Sequence, residues 1–154
     1  MSTHLLLKTL HITGVVLLVG NAIVTFLWKL RADATGNPVT IGYSQRMVTF
    51  TDWIFTLGGG TLIGFSGVVM SWSYSPVSAV PWLMSGIGFF AASGIVWALF
   101  LVPSQIVQAK LAREFETGGE IPDRYLRLCR VWNWAGVVST LLSLVNLYIM
   151  VYKP

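Results

Sequence analysis

The chain has 154 residues, one domain by length, with 55% hydrophobic and only 10% charged residues, against the roughly 25% charged of soluble domains. A soluble fold with so little charge would aggregate, so lipid is the natural solvent; the net charge of +4 does not indicate nucleic acid, because the basic residues sit beside apolar spans. The single cysteine, Cys129, excludes an intramolecular disulfide and a CxxC metal motif.

A membrane-spanning helix needs roughly 20 apolar residues. The first such stretch covers about residues 5–30 and is interrupted by Lys8, His11 and Asn21. It is too long for a signal-peptide core and no small-residue cleavage site follows, so no cleavable signal is expected. His4, Lys8 and His11 follow i, i+4, i+7 and share one helical face. A polar loop is expected over 31–47, where Gly36, Asn37 and Pro38 cluster.

The second span covers about 48–71. Gly60, Gly64, Gly67 and Ser71 form a small-residue seam along it, of the kind that lets membrane helices approach closely. Asp52 lies one turn inside it. A carboxylate in lipid needs a partner, and Arg127, Arg130 or Arg46 would make a structural ion pair; a proton relay is the alternative. A short uncharged turn, "WSYSPVS" at 72–78, leads to the third span at about 79–102.

Residues 103–130 form a longer charged connection. "QIVQAKLAREFE" is rich in helix formers and extends the third helix, Gly118 and Gly119 make a hinge, and Pro122 suits a first helical turn. The fourth span covers about 131–152. Along it Trp132, Gly136, Ser139, Ser143, Asn146 and Met150 make one small and polar stripe. The expected fold is therefore an all-α membrane protein, a single domain over 1–154 built as a four-helix up-down bundle.

Eight basic residues flank or occupy the 31–47 and 103–130 loops, and only Lys8 and Lys153 lie toward the termini. The positive-inside rule then places both loops in the cytoplasm of a bacterial inner membrane, with both termini outside. Trp72, Trp82, Trp132 and Trp134 fall at span ends, where amphipathic rings favour the interface. On this topology the outer half gathers His4, Lys8, His11, Met70, Met84, Asn146 and Met150. An imidazole in a dry bundle suits haem iron, and thioether with imidazole suits copper. His11 would be the ligand, with His4 as a second metal donor and Lys8, Asn146 and Met150 shaping a haem pocket. The bland reading is a histidine hydrogen-bonded across helices as packing glue. Gln105 and Asn133 lie at the depth of Asp52. No nucleophile–base pair, phosphate loop or paired catalytic carboxylate is apparent.

"KTLHITGVVLLVGN" at 8–21, "TDWIFT" at 51–56, "VPSQ" at 102–105, "YLRLCRVW" at 125–132 and "MVYKP" at 150–154 resemble an uncharacterised bacterial membrane family, domain of unknown function 2269. The first helix more remotely resembles HemJ-type protoporphyrinogen oxidases and CopD-like copper proteins, through Lys8, Leu10, His11, Ile12, Gly14 and Gly20. The HemJ-type resemblance implies haem b on His11; Leu18 and "KLRAD" stand where that family carries a tryptophan and a second histidine. The readings left open are a haem b protein of electron transfer or porphyrin oxidation, a CopD-like copper protein, and a non-catalytic membrane subunit. The implied partners are lipid, a redox protein or complex subunit, and a second copy of the chain. The haem reading predicts a Soret band and sharp reduced α and β bands from protein expressed with haem precursor, all lost in His11→Ala; a spectrum of tryptophan absorption alone refutes it.

Overall fold

A computed structural model describes residues 3–74 and 76–154; Ser75, within the expected 72–78 turn, lies outside the described residues. Helices α1 (Thr3–Ala34), α2 (Pro38–Ser71), α3 (Pro81–Phe115) and α4 (Asp123–Tyr152) are each long and apolar enough to cross a membrane. A 3-10 turn at Val77–Ala79 precedes α3, and no strand occurs among the described residues. The all-α, four-span architecture is thus the one expected. At 30 to 35 residues and 1.5 Å per residue the helices measure about 45–52 Å, against a hydrocarbon core of about 30 Å. A substantial part of each helix therefore extends beyond the lipid.

That excess length corrects the first expected loop, since of residues 31–47 only 35–37 are non-helical. It agrees with the helical extensions expected at both ends of 103–130, where only 116–122, around Gly118 and Gly119, are non-helical. The first break is tight because its residues suit it. Gly36 takes a left-handed φ of 61°, open to glycine without steric cost. Asn37 Oδ1 then accepts from the Val39 and Thr40 amides at 3.0 and 3.1 Å, and Pro38 opens α2. The second break has Gly118 at φ 107°, and Pro122 caps α4. Gln45, in the first expected loop, is a buried helical side chain here, and Gln108 on the extension of α3 is buried too. The end bearing these two breaks is called the basic end, and the opposite one the terminal end.

The helices pack differently at the two ends. Toward the terminal end contacts run almost wholly within two pairs, α1 with α2 and α3 with α4. Gly14 and Gly59 bring α1 and α2 together: a Cβ on either would lie 2.7 Å from the other's carbonyl oxygen. The contact face of α2 is thus centred one residue before the expected seam, on Gly59, Ile63 and Ser66, while a Cβ at Gly64 would meet open space. The pair α3–α4 is joined by Ser93, whose hydroxyl lies 2.9 Å from Ser139 Oγ and 3.0 Å from Ser143 Oγ. The polar stripe of α4 therefore faces α3.

Toward the basic end all four helices meet. Val48, Leu101 and Trp132 form one buried cluster, and Ile41, Ala112, Phe115, Tyr125 and Cys129 form a second. Trp132, expected in the interfacial belt, is buried and stacks on Phe26 with centroids 6.3 Å apart. Its Nε1 donates to Gln105 Oε1 at 3.4 Å. Trp72 and Trp134 are exposed, as interfacial rings would be.

Lys29, one of the basic residues flanking the first expected loop, is 1% exposed. Its ammonium donates to Asp33 Oδ2 at 3.1 Å and to the Tyr125 hydroxyl oxygen at 2.9 Å, and lies 3.6 Å from Cys129 Sγ. The Tyr125 hydroxyl in turn donates to Asp33 Oδ1 at 3.0 Å, and Cys129 Sγ donates to Gln108 Oε1 at 3.4 Å. Lys29 Nζ also stands 4.9 Å from the Tyr125 ring centroid and 5.6 Å from that of Trp132, a cation–π arrangement. The network pins α1 to α4. Arg46 of α2 pairs with Glu116 after α3 at a more exposed position.

Removing one member of a buried pair strands the other charge and costs about 3–5 kcal/mol, whereas an exposed pair contributes about 0–1 kcal/mol. Lys29→Ala should therefore lower the unfolding midpoint in detergent micelles far more than Arg46→Ala. Equal shifts would show that the Lys29 network does not hold the basic end together.

Candidate functional site: a buried carboxyl between two π-helical turns

The residues expected to hold haem or copper are divided between the two helix pairs. His11 faces α2, with Nδ1 3.1 Å from Ser66 Oγ and its ring over Gly67, whose Cβ would lie 3.4 Å from His11 Cε1. Ser66 Oγ donates to the Leu62 carbonyl, so the imidazole is tied to α2 as an interhelical hydrogen-bonding group. Asn146 and Met150 instead pack on Gly86 in the α3–α4 interface, where a Cβ would collide with the Met150 methyl and meet Asn146 Oδ1 at 3.3 Å. His4 and Lys8 are exposed, Met84 is 47% exposed and Met70 is half-buried. The set does not fit one haem or copper pocket, since its donors line separate interfaces. No group of three or more His, Cys, Asp or Glu side chains suited to a metal ion occurs among the described residues.

Asp52 also departs from expectation. Arg127 and Arg130 are exposed on α4 and Arg46 pairs with Glu116, so none of them meets it. An arginine on an exposed helical face keeps its guanidinium hydrated, and Asp52 meets instead α1 on one side and Gln105 of α3 on the other. On the α1 side Asn21 Nδ2 donates to Asp52 Oδ1 at 2.8 Å and to Thr56 Oγ1 at 2.9 Å. The Thr56 hydroxyl donates to the same Oδ1 at 3.0 Å. The carboxyl is 8% exposed, and no cationic side chain forms an ion pair with it among the described residues.

The backbone around it is unusual. Both α2 and α3 contain a π-helical turn, Asp52–Thr56 and Trp97–Leu101, a feature found often at functional sites. The second has a local cause. Pro103 sits inside the continuous helix α3, where its missing N–H and its ring conflict with the carbonyl four residues earlier; a π turn just before it accommodates that conflict. Asp52 and Trp97 are the first residues of the two turns. Both line a small cavity of about 20 Å³, together with Thr49, Trp53, Val102, Gln105 and Ile106. That volume holds one water. Trp97 Nε1 is buried with no hydrogen-bond partner, as are both amide atoms of Gln45 on the same helix as Asp52.

Sequence reasoning missed Asn21, Thr56 and Trp97. Asn21 was legible as a polar interruption of the first span, and Pro103 as a helix disturbance; neither reveals that two π turns meet at one cavity. Chemically, the site can bind a proton at the carboxyl and an ordered water beside it. It offers neither a nucleophile–base pair nor a cluster of ligands.

No curated protein and no solved structure matches the chain. The family described as "Predicted integral membrane protein (DUF2269)" matches residues 5–154, nearly the whole length, and the chain belongs to that family.

Proposed function

We propose that this integral membrane protein takes up and releases a proton at Asp52. The observation that carries the reading is a carboxyl 8% exposed inside a spanning helix, held by the neutral donors Asn21 and Thr56 and by no cation among the described residues. An ionisable group in a membrane span is a functional site by default, because an uncompensated charge there is costly. The cavity lined by Thr49, Trp53 and Ile106 gives water a place beside the carboxyl on the basic-end side.

Proton uptake acts on the helix pair through hydrogen bonds. As a carboxylate, Asp52 accepts charge-assisted bonds from Asn21 and Thr56, each worth about 1.5–3 kcal/mol; as the neutral acid it accepts ordinary ones, worth about 0.5–1.5 kcal/mol. Protonation therefore loosens α1 on α2 at this level, and the two π turns are the backbone segments that can absorb the shift. On the α3 side a water in the cavity would relay the proton, and Trp97 Nε1, buried without a partner, is available as its donor.

The location follows from charge. With eight basic residues near the 35–37 and 116–122 breaks and two near the termini, the basic end faces the cytoplasm of a bacterial inner membrane. A second reading, haem b on His11, rests on a part-buried imidazole inside the first span; the remaining expected donors do not join it, so the opposite axial position would need a group from outside this chain.

In lipid-reconstituted protein, acid-minus-alkaline infrared difference spectra should show a protonated-carboxyl band that weakens as pH rises and disappears in Asp52→Asn. Spectra unchanged by that substitution would sink the proposal. A periplasm-active phosphatase fused at the C-terminus should be active, and a fusion in the 116–122 break inactive; the reverse pattern would overturn the orientation.

A further inference from the structure

At the basic end α1 and α2 diverge from the tight 35–37 turn and leave a groove between them. It has a volume of about 440 Å³ and is lined by Trp28, Arg31, Ala32, Thr40, Ser44 and Met47, among others. Its floor is buried: Ala32 is 7% and Ser44 9% exposed. Its walls are mainly apolar, with the Arg31 guanidinium at the rim. Arg31 follows the last residue of the first apolar stretch, so the groove spans the step from hydrocarbon to headgroup. Trp28 and Tyr43, both exposed, stand where amphipathic rings mark that step.

Two observations say what fills it. The first is Ser44. Hydroxyls on helices here turn back to a carbonyl of the preceding turn, as Thr25, Thr49, Thr51, Ser66 and Ser104 do. Ser44 Oγ does not; it is buried and has no partner, on a residue that lines the groove. A buried hydroxyl left unmatched costs about 1–3 kcal/mol, which an acceptor or donor in the groove would remove. The second is charge. Lys29 is neutralised by Asp33, and Arg46 by Glu116. Arg31 has no acidic partner among the described residues, so the rim carries one unmatched positive charge. A ligand there needs hydrocarbon for the walls, oxygen for Ser44 and one negative charge for Arg31.

We propose that this groove is a binding site for one anionic phospholipid, with its phosphate at Arg31 and Ser44 and an acyl chain along Trp28, Ala32 and Met47. A guanidinium suits a phosphate diester, giving two parallel N–H···O bonds. Zwitterionic phospholipid has the same phosphate but carries a cation that the rim arginine disfavours. The site is separate from the Asp52 cavity and does not depend on proton uptake there.

The full chain, purified in neutral detergent and titrated with phosphatidylglycerol or phosphatidylcholine, is read by native mass spectrometry for retained lipid and by thermal unfolding. Phosphatidylglycerol should be retained in preference and should raise the midpoint. Arg31→Gln should weaken retention about fivefold, the effect of one basic residue at an anionic headgroup. Arg127→Gln, an exposed arginine on α4, should leave retention unchanged. Ser44→Ala should weaken retention without lowering the lipid-free midpoint. Inorganic phosphate alone should not stabilise the protein. Equal retention of the two lipids, equal loss in the two arginine variants, or stabilisation by inorganic phosphate to the same extent would each overturn the proposal.

Discussion

In the hydrocarbon core a polar group has no bulk water to turn to, so most polar side chains here find a partner on their own helix or on the next one. That constraint organises the bundle. Ser66 answers His11 and draws α2 to α1; Asn21 answers Asp52 and Thr56 one level lower on the same pair. Ser93 answers Ser139 and Ser143 and draws α3 to α4. Between these contacts small residues let the backbones close, Gly14 against Gly59 and Gly86 against Met150. The pairing of the helices is therefore written by polar and small residues, while the apolar majority faces lipid.

Beyond the lipid the rules change, and so does the packing. The basic end buries Tyr125, Phe115, Ile41 and Cys129 as a soluble domain buries its core. It also buries Lys29, which is tolerable because Asp33 and the Tyr125 hydroxyl take its protons and two aromatic faces flank it. The result is a bundle locked at one end and divided into two pairs toward the other. Asp52 sits near the junction of these regimes, close to the level at which Phe26, Leu101 and Trp132 bring the pairs together. A change in hydrogen bonding there acts where helix pairing gives way to four-helix packing.

The two π turns belong to the same level. Pro103 makes one of them unavoidable in a helix that does not break, and its partner at Asp52–Thr56 faces it across the small cavity. Each leaves an irregular stretch of backbone inside a helix otherwise fully bonded. Such irregularity survives in a membrane only where protein or a water-filled cavity covers it, which is the environment of Asp52.

Hydropathy and length determined that the chain is an all-helical membrane protein with four spans, because about 20 apolar residues in a row have few other stable fates. Glycine, asparagine and proline in "TGNPVT" marked the break at 35–37 for a reason of local geometry. Those signals are local, and they failed where the answer was not. Polar residues at 38–47 look like loop but are helix emerging from lipid, since polarity reports the solvent and not the backbone; in "QIVQAKLAREFE" the helix formers did announce the extension of α3. The site residues were only half legible. His11 and Asp52 stood out as polar groups in apolar sequence, but whether an imidazole meets a methionine or a serine depends on which helices pair and how they rotate. The tertiary structure decided that His11 faces Ser66, that Asn146 faces Gly86, that Asp52 has Asn21 and not an arginine, and that Lys29 is buried. Each of those is set by interhelical register, which a shift of one residue on a helix turns by about 100°, and which no single span encodes alone.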